Sequence, residues 1–566
     1  MRAWILAALA AQIVCPDRAE AGTGRIERLI AEMSPAQKAG QLAMVSFEGR
    51  ALSDAQRDFV LGTRPGGVLL FRSNCGSPAE MAHLTGSLQR LATGEIGGPG
   101  LLVAIDMEGG SVRRFSPGGA FTRFPPAIMI GATDDPDMAA RVGRAMAEEL
   151  KAVGINMNLA PVADLETRRA NRVLRGRSFG SRPARAASMV AAFVWASQRA
   201  GVLACAKHFP GHGDTAVDSH RGLPVLHLDR QALARRELVP FRRAIEAGAE
   251  AIMAAHIWLP AIEPQEGRPA SLSAPALAGL LRGELGHGRL VLTDALGMAA
   301  VRSGHTLDRA ARLAIAAGAD LLVFGEAIPI REQAAVVEEL ARAIRSGEIP
   351  ARRVDRSLRR ILAAKARFGL LRPAPVDPRR ARARLESEAH RRLVERVFAR
   401  AVTLVRNERG LLPVRPGRPA ILVHFERQRA LADALERALP IVERVALSRA
   451  CGPAERERAA RACESAAVCL VLTRNAVSDS AQAELVRSLP PERCAVVALG
   501  SPYDLLVFPQ VAAFAAAYMP IPEAGAVLAD VLRGRRRARG VLPVPLDDLY
   551  PAGAGLRGPI SRSGSR

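Results

Sequence analysis

The stretch Ala204-Cys205-Ala206-Lys207-His208-Phe209-Pro210-Gly211-His212-Gly213-Asp214 joins a buried-strand pattern to a loop crowded with titratable groups. The apolar run 201–206 is short and bounded, as a fully buried strand is. Pro210, Gly211, Gly213, Gly222 and Pro224 then break regular structure, so Lys207, His208, His212, Asp214, Asp218 and His220 ride a loop that leaves a strand end. Lysine otherwise occurs only at Lys38, Lys151 and Lys365 in this arginine-rich chain, so Lys207 marks a place where a compact ammonium is wanted. Asp218 and His220 lie two apart, close enough for the carboxylate to hold one imidazole nitrogen and leave the other for proton transfer.

Similar apolar runs recur at 39–47, 66–71, 101–105, 155–159, 202–206, 249–255, 290–292 and 320–324. Between them lie amphipathic helical stretches such as 136–153, 182–199, 230–247, 297–317 and 330–345. Eight such runs with helices between them predict an α/β fold, a (β/α)8 TIM-type barrel over 22–371. Polar residues at the run ends, Asp106, Asn158, Lys207 with His208, His256 and Asp294, fit a barrel whose chemistry sits where strands finish. An open doubly wound sheet is the alternative. The proline-rich stretch 372–380 ends this domain, and a linker is expected over 372–399. A smaller α/β sandwich with a mainly parallel sheet is expected over 400–550, with strands near 402–405, 420–424, 467–472 and 494–499, and 551–566 reads as a disordered tail.

At 566 residues the chain is too long for one ordinary core, and 49% apolar with 24% charged residues is globular composition. The formal net charge of +23 raises nucleic acid as a partner, but the arginines are scattered, aromatics are only 4%, and no basic stripe carries interleaved aromatics, so none is expected. Residues 1–21 carry Arg2, an apolar segment at 4–14 and Ala19-Glu20-Ala21 before Gly22, which fits a secretory signal and implies export to the periplasm or beyond. A cytoplasmic protein with an apolar leader is the competing reading. No other run is long enough for a membrane span. Seven cysteines without CxxC spacing indicate neither zinc nor a disulfide framework.

Asp294, in Thr293-Asp294-Ala295-Leu296-Gly297-Met298 directly after an apolar run, reads either as the N-cap of a following helix or as a carboxylate facing the barrel mouth. Held ionised there, it is placed to attack an anomeric carbon and form a covalent glycosyl intermediate. Such a reaction needs a second group that protonates the leaving oxygen and later deprotonates water, a task suited to His220 backed by Asp218. Asp106-Met107-Glu108-Gly109-Gly110 with Arg113 and Arg114 offers a carboxylate and a guanidinium for sugar hydroxyls, or an ordinary charged turn.

These blocks resemble glycoside hydrolase family 3, and within it the β-N-acetylglucosaminidases. The resemblance rests on Lys207-His208-Phe209-Pro210-Gly211-His212-Gly213 followed by Asp218-Ser219-His220, on Arg177-Ser178-Phe179-Gly180, and on the blocks around Asp106 and Asp294 in the same order. It continues past the linker at Ala401-Val402-Thr403-Leu404-Val405-Arg406-Asn407. It implies a retaining exo-hydrolase of terminal β-linked N-acetylglucosamine, from peptidoglycan fragments or chitooligosaccharides, with Asp294 as nucleophile and His220 with Asp218 as acid/base dyad. It further implies that Asp106, Arg114, Arg177, Lys207 and His208 bind the sugar and that no metal or cofactor is needed. Family β-glucosidases take their acid/base from a second-domain glutamate, against which the histidine loop argues. A neutral histidine tolerates an approaching anion, so phosphorolysis stays open beside hydrolysis. Met107, Ser111 and Ala295 depart from the family's common glutamine, arginine and second aspartate, and Ser111 leaves the contacts near Arg114 open. Two other readings remain: a metal-dependent barrel hydrolase using His212, Asp214, Asp218 and His220, and a catalytically silent glycan-binding protein.

Overall fold

The structure, a computed structural model, describes residues 16–115, 120–215, 217–219 and 221–557. Most of the leader segment, residues 1–15, lies outside them, and the described chain opens on the helix Pro16–Glu32.

Each of the eight apolar runs contains a strand: β1 (Ala43–Val45), β2 (Gly67–Leu70), β3 (Leu102–Ile105), β4 (Met157–Asn158), β5 (Leu203–Phe209), β6 (Ala251–Ala254), β7 (Leu290–Thr293) and β8 (Leu322–Val323). They pair in parallel in the order β8-β1-β2-β3-β4-β5-β6-β7. A parallel bridge between Leu292 and Leu321 brings β7 back to β8 and closes the ring. Every residue of β1 to β8 is buried, as a sheet covered by helices on the outside and side chains within demands.

The run 39–47 is helix before it is strand. Pro35–Gln41 is helical, started by Ser34 in a capping box with Gln37, and β1 follows. The stretches expected as single helices over 230–247 and 297–317 are each broken, into Arg230–Arg235 with Leu238–Glu246 and Ala299–Arg302 with Leu307–Ala317.

The two ends of the barrel use charge differently. At the amino end, Asp320 accepts from Arg282 at 2.6 Å, from Arg360 at 3.1 Å and from Ser357 Oγ at 2.7 Å, and buried Glu250 pairs with Arg289 and Arg367. These are closed structural clusters. The carboxylates of the opposite end line its mouth.

The second sheet orders β9 (Thr403–Asn407), β10 (Ala420–Phe425), β11 (Ile441–Leu447), β12 (Val468–Thr473), β13 (Cys494–Ala498) and β14 (Ala513–Ala516) as β9-β14-β13-β12-β10-β11. Only β9 with β14 is antiparallel. β11 and β14 escaped the sequence reading because one carries exposed Val442 and Glu443 at an edge and the other is mostly alanine, a weak strand former.

The span 372–399 is not loop throughout. Glu388–Ala401 forms a helix because Leu393, Val394, Val397 and Phe398 recur on one face, which packs on the barrel helix Ala127–Ala132. His390 Nδ1 meets Glu149 Oε1 at 2.8 Å, and the Val541 N–H donates to Ala132 O at 2.9 Å, so the domains are joined by polar as well as apolar contacts. The tail also begins later than expected. Gly553 N–H donates to Leu542 O at 2.7 Å and Leu556 N–H to Leu404 O at 2.8 Å, while 558–566 lie outside the described residues. A disulfide joins Cys463 to Cys469, a pairing not indicated by spacing; the tight turn from the helix Pro453–Ser465 into β12 brings the two together. Among the described residues no helix is long and apolar enough to cross a membrane.

Lys365 is fully buried under the barrel and donates to Gln41 Oε1 at 2.7 Å, with no carboxylate paired to it among the described residues. Burial pushes its ammonium down to about 7. The unfolded chain binds this proton up to a pH of about 10.4, so between the two values the unfolded state holds more protons and stability rises with pH. Lys365→Met is expected to remove that increment. In urea unfolding, the stability of the native protein should rise from pH 7 to pH 9 relative to that of the variant, which lacks the penalty at both pH values; parallel profiles would exclude the effect.

Candidate active site

The mouth of the barrel is built on five strand ends. β3 delivers Asp106 and runs into a short hairpin, Met107–Gly109 with Val112–Arg113. Asn158 at the end of β4 clamps that hairpin, accepting from Met107 N–H and donating to Met107 O, each at 3.0 Å. Asn158 is therefore a scaffold residue. Gly109 and Gly110 take φ of 90° and 59°, and a Cβ on Gly109 would sit 2.3 Å from Pro125 O, so only glycine fits this turn.

Lys207, in β5, has a side chain only 4% exposed, and its Nζ lies 2.8 Å from both Asp106 Oδ1 and Glu108 Oε1. Arg114 pairs with the other oxygen of Asp106 at 2.5 Å and lies over the Phe71 ring. Arg177 grips Glu108 through two parallel hydrogen bonds, Nε at 2.8 Å and Nη2 at 2.7 Å. The result is an alternating row of three cations and two carboxylates. Burial works to raise both acids, but Lys207 with Arg114 holds Asp106 well below the carboxylate range, and Arg177 with Lys207 brings Glu108 to about 2. Glu108 is thus a member of the site that the sequence reading quoted but gave no role.

His208 follows Lys207 through a cis peptide. Its Nδ1 lies 2.6 Å from Asp164 Oδ2, which makes it the donor to an ionised carboxylate and leaves Nε2 for the mouth. Asp164 Oδ1 also accepts the His208 and His212 N–H groups at 3.1 and 2.7 Å. Burial opposes its charge, but His208, His212 and these hydrogen bonds hold Asp164 below its usual range. Asp164 was missed in the sequence, although it stands just past the β4 run, where a strand-end carboxylate is a recognisable signal.

Asp294 ends β7. Its N–H donates to Ala254 O at 2.8 Å, and its Oδ1 accepts the Ala295 N–H at 2.8 Å. The next helix starts at Ala299 with Met298 as its cap residue, so Asp294 is no helix cap. Burial favours its neutral form, yet His208, His256, the Ala295 N–H and Lys207 together hold it ionised below the ordinary aspartate value. His256 itself is satisfied on both nitrogens, by Ser271 Oγ at 2.7 Å and Ala295 O at 3.0 Å. It positions the backbone beside Asp294.

The described residues of the loop beyond β5 are pinned by side-chain and backbone partners. Asn171 Nδ2 donates to His212 O at 2.7 Å, and His212 reaches Thr215 Oγ1 at 2.7 Å and Ser219 Oγ at 3.4 Å. Ser219 O accepts the Ala300 N–H at 3.2 Å, which docks Asp218 and Ser219 against the segment that follows Asp294. His220 lies outside the described residues. His212 and Asp214 turn to different partners, Asp214 to Arg236 at 3.4 Å, and among the described residues no three histidine, cysteine or acidic side chains group as metal ligands.

Ionised carboxylates beside cations at the mouth of a (β/α)8 barrel are the equipment of a glycoside hydrolase. Residues 36–364 match the pattern described as the glycosyl hydrolase family 3 N terminal domain. A β-hexosaminidase of Alkalilimnicola ehrlichii is 40% identical over 295 residues, 50% of this chain and 82% of the relative. β-Hexosaminidase A of Pseudoalteromonas piscicida is 34% identical over 406 residues, 68% of this chain and 66% of the relative. The solved structure of a family 3 β-N-acetylglucosaminidase from a Paenibacillus species superposes with a TM-score of 0.81 at 34% identity, covering 91% of this chain and 99% of that one. The chain belongs to glycosyl hydrolase family 3.

Asp164→Asn keeps the shape of the side chain and removes the charge that orders His208. A hydrogen bond to a charged group is worth roughly 1.5–3 kcal/mol, so kcat/KM should fall about 10- to 100-fold with the fold intact. Unchanged kinetics would show that His208 is placed by other means.

Proposed function

We propose that this glycoside hydrolase is a retaining exo-β-N-acetylglucosaminidase. The observation that carries the reading is Asp294, an ionised carboxylate at a strand end, beside the Lys207 charge row and beneath the docked loop that carries Asp218. The names of the relatives support N-acetylhexosaminides as the substrate class. Asp106, Arg114, Lys207, His208 and Arg177 form a floor of donors and acceptors suited to the hydroxyls of a terminal sugar.

Asp294 attacks the anomeric carbon as the leaving oxygen departs, and His220, backed by Asp218, supplies the proton to that oxygen. Water then attacks the glycosyl-aspartate bond, giving its proton to His220, and two inversions return the original anomer. Terminal β-linked N-acetylglucosamine on peptidoglycan fragments or chitooligosaccharides is the substrate we infer, encountered outside the cytoplasm if the leader acts as a signal.

The test is release of 4-nitrophenol from the β-N-acetylglucosaminide and from the β-glucoside, each with and without phosphate. The N-acetylglucosaminide should be preferred by at least about 100-fold, with free N-acetylglucosamine as product in both buffers; general acid catalysis contributes about 100- to 10,000-fold. His220→Ala should therefore lose far more on chitobiose than on the nitrophenyl substrate, whose leaving group needs little protonation. Preference for the glucoside, a sugar phosphate product, or equal losses on both substrates would each overturn a named part of the reading.

A further inference from the structure

A cleft of 330 Å³ opens between the barrel and the second domain, and six arginines line it: Arg72, Arg113, Arg123, Arg175, Arg177 and Arg474. No aspartate or glutamate is among its described lining residues. Arginines without an ion pair among the described residues also occur elsewhere, as Arg64, Arg235 and Arg345, but those are exposed and scattered, whereas here six converge on one cleft. In the cleft, Arg72, Arg113 and Arg474 make no ion pair among the described residues, and Arg123 has only Glu523, at 3.9 Å. The Nε groups of Arg123 and Arg175 are buried with no acceptor among the described residues. A buried donor left unmatched is costly, and two in one cleft point to a ligand that accepts.

The position fits a binding site on both sides. Arg72 follows β2, Arg113 belongs to the hairpin after β3, and Arg175 and Arg177 lie on the loop after β4, all at the chemical end of the barrel. Arg474 directly follows β12, and Gly500 and Ser501 follow β13, so the carboxyl ends of two adjacent parallel strands open into the same cleft, where open α/β sheets take their ligands. Arg175 crosses the boundary and donates to Ser478 Oγ at 2.5 Å, which ties the two walls together. The guanidinium groups burden one another: burial together with Arg123 and Arg72 lowers Arg113, and burial with Arg427 and Arg123 lowers Arg474. An incoming anion relieves that repulsion.

We propose that this interdomain cleft binds an oxyanion, a carboxylate or phosphate group, which the planar guanidinium forks match. Arg177 lines the cleft and also grips Glu108, so the anion site adjoins the sugar floor. The anion is therefore either carried on the glycan itself, an assignment that rests on the proposed glycosidase activity, or free phosphate.

The experiment uses the full chain and the variants Arg474→Glu and Arg72→Ala, with circular dichroism as the check that each variant is folded. Melting temperature is read in inorganic phosphate, in citrate and in chloride at equal ionic strength. The native protein should be stabilised by phosphate or citrate beyond chloride, and both variants should lose that increment. Kinetics on chitobiose and on a β-N-acetylglucosaminyl disaccharide whose reducing sugar bears a lactyl carboxylate then separate the sources. A glycan-borne anion predicts KM for the acidic disaccharide at least tenfold higher in Arg474→Glu with chitobiose unchanged; free phosphate predicts the loss of stabilisation alone. A native protein that responds to phosphate and citrate as to chloride, with variants kinetically unaltered on the acidic sugar, would overturn the proposal. If no glycoside is turned over, the proposed activity fails while the melting data still decide the anion site.

Discussion

The buried ammonium of Lys207 is the interaction on which the mouth of this barrel depends. It bridges Asp106 and Glu108, each of which holds its own arginine, so two carboxylates stay charged where burial alone would neutralise them. Removing one partner of such a buried set typically costs about 3–5 kcal/mol, because the remaining charge is left without compensation. The row therefore has to be complete to exist. Its field also extends to Asp294, whose ionised form Lys207 and His208 favour.

Around that row the fold supplies rigidity in layers. Asn158 fixes the hairpin that carries Glu108, Asp164 fixes His208 and the turn at His212, and buried Asn171 holds the same turn through the His212 carbonyl. Each is a polar side chain satisfying a backbone group that the irregular loops would otherwise leave unpaired. The described residues of the loop are thereby held by named partners without being part of a strand. Glu237, buried against Gly211 and Gly213 and pushed up to about 8 by burial, packs under the same loop with Arg236 3.4 Å from its Oε1.

Much of this was legible in the chain. The eight runs were readable because a parallel barrel buries each strand on both sides, which turns strands into plain apolar segments. The strand-end positions of Asp106, Lys207, His208 and Asp294 were readable because each stands at or just past the end of an apolar run. Glu108 and Asp164 were harder, since their roles arise from partners about 100 and 44 residues away in the chain, Lys207 and His208, and no local pattern encodes such a pairing. The helix Glu388–Ala401 was obscured by the proline-rich stretch 372–380, which made the whole span read as linker, and the Ala-rich β14 by its weak propensity. The interdomain arginines were lost in the overall arginine background; their convergence on one cleft with no acid among its described lining residues, a three-dimensional fact, sets them apart.

The most direct measurement is covalent trapping. A 5-fluoro-N-acetylglucosaminyl fluoride slows both steps but leaves the first faster, so the glycosyl-enzyme accumulates and peptide mass spectrometry locates the bond. A single added sugar on the peptide containing Asp294 is the predicted result. A label on another carboxylate, or turnover of natural substrate by a protein that never becomes labelled, would contradict the assignment of Asp294 as the nucleophile held ready by the Lys207 row.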